Sequence, residues 1–173
     1  MTGELDMLPV ALHAFHLARQ RYLRGLRAGL PEEQLVIAAM EVTYWACALD
    51  EQLKNRDAWY RGCREYGRAV MQGVRYARNQ ATHQLPMLVQ RRAGFQAPIV
   101  APFRADEIVW TPLDQLPPPD RTPSREQRDN YHRHLSGRPV RHTIDAVAAW
   151  FAAEQNRSGS LIEVSSRPSR TEG

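Results

Sequence analysis

An all-α fold, built of three long helices followed by two short ones, is predicted by three observations. Apolar residues recur at steps of three and four through the first 90 or so positions, the spacing of a helix face. Strand-type alternation is weak throughout. Seven of the twelve prolines crowd between residues 98 and 123, so no long helix crosses that stretch. The expected organisation is a helical bundle over 1–95, a proline-rich connector over 96–123, C-terminal helices over 124–155 that pack back on the bundle, and a Ser- and Arg-rich tail over 156–173.

The first helix is expected near 9–28, with Leu8, Leu12, Phe15, Tyr22 and Leu26 on its inner face and Gly29 ending it. Pro31, Glu32 and Glu33 open a second over 32–54, since proline suits the first helical position and acids suit the N-terminal dipole. From Leu35 to Leu49 only Glu41 and Thr43 are polar, which marks a central helix apolar on nearly all sides. Glu41 then needs a cationic partner, in a structural pairing. The third helix is expected over 57–85. Trp59, Cys63, Tyr66, Val70, Val74, Ala77, Ala81, Leu85 and Leu88 form its buried stripe, and Arg68, Gln72, Arg75, Asn79 and His83 a polar one. Trp45 and Trp59 read as core. Gly62, Gly67 and Gly73 allow close approach of a neighbouring backbone. Pro86 must break the helix.

Ile108-Val109-Trp110 predicts a short extended segment lying against the bundle. The last two helices are expected near 124–136 and 143–155, with Ser124 and Thr143 as N-caps and Gly137 as the stop of the first.

Composition narrows the function classes. Two cysteines among 173 residues exclude a disulfide framework. Cys47 and Cys63 sit in apolar helical stretches and read as small core residues rather than nucleophiles. No apolar run reaches the length of a membrane span, and Met1–Asp6 has no basic n-region, so a cytoplasmic protein away from membranes is expected. Net charge is +4, and its distribution is uneven. Residues 58–104 hold eight arginines and a single acid, Glu65, a field that attracts polyanions such as RNA or else a solvated helix face. Arg68, Arg75, Arg91 and Arg92 are the candidate RNA-binding residues. His132, His134 and His142 lack the cysteines or acids that complete a metal site, and no metal is expected. His13 and His16 are expected to face solvent or a neighbouring helix.

Arg78 to His83 read R-N-x-x-x-H. This resembles the motif of the HEPN superfamily, all-α domains that include metal-independent ribonucleases of bacterial toxin and defence systems. The resemblance covers about residues 8–95 and implies Arg78, Asn79 and His83 as catalytic residues acting on RNA without a cofactor. Histidine titrates near neutrality and can move a proton, and guanidinium steadies the charge that builds on phosphate. Two further pairs meet the bare spacing, Arg125 with His132 and Arg128 with His134. Only the Arg78 match has Asn after the arginine and a place on a long core helix. Five residues of helix set positions 78 and 83 about 140° apart, so one straight helix cannot readily aim both at a single phosphate. Either the helix distorts before Pro86, or two chains each contribute residues across a two-fold interface. The resemblance implies the second, a homodimer, and a toxin or defence role adds a neutralising or defence partner protein. HEPN partners of small nucleotidyltransferases carry a tyrosine two residues after the histidine. Leu85 stands there. The alternative is a helical module that binds RNA or protein without cutting.

Overall fold

The computed structural model describes residues 6–84, 89–92, 107–119 and 122–164. It is helical, with one two-stranded antiparallel ladder. Helix α1 (Met7–Ala28) opens at Asp6, whose carboxylate accepts the Leu8 N–H at 3.1 Å. Its inner face is Leu8, Ala11, Phe15, Ala18, Tyr22 and Gly25, while Leu12 and Leu26 sit at its edge. Gly29 ends it at φ +64°, a conformation that favours glycine, and lets the Leu30 N–H reach the Gly25 carbonyl at 3.0 Å.

Helix α2 (Glu32–Arg56) returns along α1 after a short connector and also packs against α4 (Tyr66–Gln84) and α6 (Val140–Asn156). It is central, as its apolar run predicts, but not covered all round: Ile37 and Tyr44 lie in solvent at 68% and 59% exposure. Glu41 finds its cation in Arg21 of α1.

The third helix corrects the expectation of one rod over 57–85. Asp57, in extended conformation, ends α2 and at once caps α3 (Ala58–Gly62), accepting the Tyr60 N–H at 3.0 Å. Cys63 is again extended, and α4 starts afresh at Tyr66. Two extended residues reset the helical phase, so the expected stripe holds only within α4, at Val70, Val74 and Ala77. Trp59 therefore does not join the core. It is 45% exposed and lies under the Arg157 guanidinium, 4.1 Å from its ring centroid. Tyr66 is exposed as well, and Trp45 is partly buried against the core.

Two of the three glycines on this stretch allow close approach. A Cβ on Gly67 would stand 2.4 Å from the Trp150 ring, and one on Gly73 2.7 Å from Leu135. Gly62 has open space around it.

Strands β1 (Val89–Arg92) and β2 (Glu107–Trp110) pair antiparallel, Val89 opposite Trp110 and Arg92 opposite Glu107. The extended segment expected at Ile108–Trp110 thus forms, and it packs inward with Trp110 buried. Its backbone also bonds the connector between α5 (Arg125–His134) and α6: Trp110 N–H to Arg138 O and Gly137 N–H to Trp110 O, each 2.9 Å. Gly137 sits in that turn at φ +68°. Ser124 precedes α5, but its side chain makes no capping bond. Thr143 is not a cap. Helix α6 already begins at Val140 behind Pro139, and Thr143, buried one turn in, accepts the Trp110 indole N–H at 2.8 Å. No described helix is long and apolar enough to cross a membrane.

Candidate functional site

The polar centre of the molecule forms where α2, α3, α4 and α6 meet. Asp50 occupies the same face of α2 as Ala39, Thr43 and Ala46, so the helix that buries those residues buries the carboxylate too. It is fully buried. An isolated carboxylate there would be very costly, and three donors prevent that isolation. The Tyr60 hydroxyl, carried in by α3, donates to Oδ1 at 2.7 Å. Arg68 Nη1 donates to the same oxygen, and Arg75 Nε to Oδ2. Trp150 of α6 donates its indole N–H to the Tyr60 oxygen at 2.9 Å, and the Arg68 guanidinium lies over the Tyr60 ring at 4.7 Å.

This arrangement corrects the expected RNA-binding face. Arg68 and Arg75, seven residues and two turns apart, do share a stripe of α4, but the stripe faces inward. They are 5% and 6% exposed, and each bonds a buried acid. Burial works against the Arg75 charge, yet Asp50 and then Glu51 raise its pKa above the ordinary arginine value.

Arg78 follows one turn later, and its situation differs. Its side chain is about one-third exposed, and among the described residues its charged partner is Glu51, with Arg78 Nη2 4.0 Å from Oε2. Arg75 Nη1 approaches that same oxygen at 3.8 Å. Both distances exceed a hydrogen bond. The Cys47 thiol lies against Arg78, and burial pushes its pKa up to about 12 although Arg78 acts to lower it, so it is no thiolate nucleophile. Asn79 is exposed. Arg78 O accepts the Thr82 hydroxyl at 2.9 Å, and α4 runs unbroken through position 83 to Gln84. The side chains of His83, Arg91 and Arg92 lie outside the described residues, as does Leu85.

The three guanidiniums and two carboxylates leave one positive charge in surplus. They also leave buried donors without acceptors among the described residues: Arg68 Nε, Arg75 Nη2 and Arg78 Nε. The geometry suits holding an oxyanion at the Arg78 end and holding structure at the Asp50 end. Among the described residues no group of three or more His, Cys, Asp or Glu converges as a metal site. His132 and His142 are exposed, and His134 packs its ring edge on Tyr66, centroids 5.4 Å apart.

Asp50, Glu51, Tyr60 and Trp150 were not singled out by the sequence pattern. Asp50 had a signal: an acid directly after the largely apolar stretch Leu35–Leu49, in phase with its buried face. Tyr60 had none, because its orientation depends on the break at Asp57.

No family model matches the chain, and neither the curated proteins nor the solved structures hold a match to it.

Proposed function

We propose that the chain is a metal-independent RNA endonuclease of HEPN type, a cytoplasmic toxin or defence effector, with Arg78 as phosphate clamp, Asn79 as orienting residue and His83 as proton carrier. The observation that carries this reading is the contrast at Arg78. Arg68 and Arg75 are held by a buried acid, while the Arg78 guanidinium reaches the surface beside Asn79 with no carboxylate in hydrogen-bond range among the described residues. In the reaction, the RNA 2′-hydroxyl loses its proton to His83 and attacks the adjacent phosphorus. The bond to the 5′-oxygen breaks, and that oxygen takes up a proton. The products are a 2′,3′-cyclic phosphate and a 5′-hydroxyl. Arg78 bears the negative charge that grows on the phosphate, without changing its own protonation.

Because α4 runs unbroken to Gln84, regular helical geometry sets positions 78 and 83 about 140° apart around it. A homodimer that lays two copies of this helix end together supplies Arg78 from one chain and His83 from the other. The second reading is a helical module that binds RNA or protein without cutting, and its protein-binding form is favoured by the inward turn of Arg68 and Arg75. That turn removes two cations from the surface.

Incubation of single-stranded RNA with the protein in EDTA tests the two against each other. Cleavage with cyclic phosphate ends, lost by ~10²-fold or more in His83→Ala and Arg78→Ala, supports the enzyme. His132→Ala and His134→Ala should cut normally. Equal cutting by wild type and His83→Ala would overturn the nuclease reading, and a strict monomer in sedimentation would overturn the composite site.

A further inference from the structure

The charges beside Asp50 are arranged unequally. Asp50 meets its arginines in direct hydrogen bonds, whereas Glu51, the next residue on α2, faces two arginines and bonds neither. One of its oxygens, Oε2, lies 3.8 Å from Arg75 Nη1 and 4.0 Å from Arg78 Nη2. Charge-assisted N–H···O bonds close to about 2.7–2.9 Å. Glu51 is therefore an electrostatic partner at the wrong distance, tethered to a helix that does not carry it closer. It is also half-exposed, so it can turn into solvent without crossing the core.

The two guanidiniums are not equally free to adjust. Arg75 is fixed by its Nε bond to Asp50 and is nine-tenths buried, yet its Nη2 has no acceptor among the described residues. Arg78 is looser, and its Nε is also without an acceptor. A buried guanidinium and a partly exposed one thus approach the same carboxylate oxygen, through Arg75 Nη1 and Arg78 Nη2, and the group as a whole carries a surplus positive charge. A tetrahedral phosphate offers several oxygens around one centre and can accept from both forks at once. A single carboxylate held on α2 does not.

We propose that Arg75 and Arg78 form a seat for a phosphate group, and that Glu51 is its resident stand-in, displaced when phosphate enters. This deepens the reading of Arg78 as a phosphate clamp and rests on it. Glu51 screens the seat when the site is empty and competes with the ligand, so it sets the affinity threshold of the site. Arg75, buried and tied to Asp50, positions the seat from behind. The phosphate group can belong to an RNA backbone or to a free anion, and the two sources are separable by experiment.

The test titrates the full-length protein with two probes. One is a fluorescent single-stranded 2′-O-methyl oligonucleotide, which lacks the attacking hydroxyl and stays uncut. The other is inorganic phosphate, followed by calorimetry. Glu51→Gln removes the competing charge and keeps the side-chain shape, and should tighten binding about tenfold. Glu51→Ala should do the same, which guards against a fault peculiar to the amide. Arg78→Ala should weaken binding about tenfold or more, and adding Glu51→Gln to it should restore nothing, because half of the seat is gone. Tightening for the oligonucleotide alone assigns the seat to a phosphodiester backbone. Tightening for inorganic phosphate, with or without the oligonucleotide, assigns it to a free phosphate group. If both Glu51 variants bind like wild type while Arg78→Ala is weakened, the stand-in is overturned and the clamp survives. If Arg78→Ala also binds like wild type, the clamp falls with it.

Discussion

Arg75 and Arg78 sit one turn apart on α4, carry the same side chain and come from the same basic stretch of sequence, yet the fold treats them in opposite ways. Arg75 is buried and bonded to Asp50, and Arg78 reaches the surface, with Glu51 held at 4.0 Å. The difference arises on α2. Asp50 lies on the buried face of that helix, so any arginine facing it is drawn inward. Glu51 lies about 100° further round and faces the arginine that emerges. A count of cations along a segment therefore overstates the field it presents. Which acid each cation meets decides whether it holds structure or remains available to a ligand.

The strongest way to break this comparison is Asp50→Ala. It leaves two buried guanidiniums without their acceptor, and removing one side of a buried ion pair typically costs ~3–5 kcal/mol. Urea denaturation should show a loss of that size or outright failure to fold. A loss below ~1 kcal/mol would mean that Arg68 and Arg75 are not held by this acid. The second test concerns how closely α4 is seated against α6, since that seating keeps the arginine stripe inward. Gly67→Ala would place a Cβ 2.4 Å from the Trp150 ring, inside any normal contact distance. Overpacking of this kind costs ~1–3 kcal/mol, while Gly62→Ala, with open space around it, should be neutral or slightly stabilising. Equal melting temperatures for the two variants would sink the close-approach account.

Much of this architecture was legible in the sequence, for identifiable reasons. Helices α1 and α2 are strongly periodic and begin or end at residues with one clear role: Gly29 at positive φ, Pro31 with two acids. The need of Glu41 for a cation, though not that Arg21 supplies it, and the segment at Ile108–Trp110 lying on the bundle also followed from local pattern. The break at 57–65 did not. Asp57 reads in sequence as one more polar residue, and only the folded chain shows it ending one helix while capping the next. That break moved Trp59 out to solvent and Tyr60 in to Asp50. The inward face of Arg68 and Arg75 was illegible for a related reason: arginine is rarely buried unless paired, and its partner lay on another helix. Thr143 looked like a cap because Thr favours caps, but Pro139 supplied an earlier start and the Trp110 indole claimed the hydroxyl.

An intermediate case sharpens the scale between the two arginines. Arg157, beyond α6, bonds Asp57 at the α2–α3 junction and Glu154 of α6, and is partly exposed. Burial by itself pushes the Asp57 carboxyl up. The N–H of Tyr60, the Arg157 guanidinium and the N–H of Trp59 outweigh that and hold its pKa below the ordinary value. A carboxyl lowered in the folded state contributes stability that is present above its unfolded pKa and is lost as pH falls through the folded one. The contribution should therefore be complete near neutrality and fade below about pH 4. Melting temperature followed from pH 6 to 3 should drop less steeply in Asp57→Asn than in wild type, and the gap should be smaller than the Asp50→Ala effect. Parallel curves would remove Asp57 from the account.

The smallest expected effect on stability is the one on which the comparison turns. Arg78→Ala deletes a guanidinium whose nearest carboxylate among the described residues is beyond hydrogen-bond reach and half-exposed, so little Coulomb energy is lost. Its guanidinium lies against the Cys47 thiol, and losing that contact sets a modest cost. Against this, deletion leaves Glu51 facing Arg75 alone and removes a buried Nε that had no acceptor among the described residues, a small gain. The terms nearly cancel, and stability in urea should stay within ~0.5 kcal/mol of wild type. Binding of the uncut oligonucleotide should nonetheless fall about tenfold or more. A side chain that matters to a ligand and hardly at all to the fold is one the structure has kept free for that ligand. If Arg78→Ala instead destabilised the protein as Asp50→Ala does, Arg78 would belong with Arg75 to the internal scaffold, and the surface end of α4 would hold no clamp.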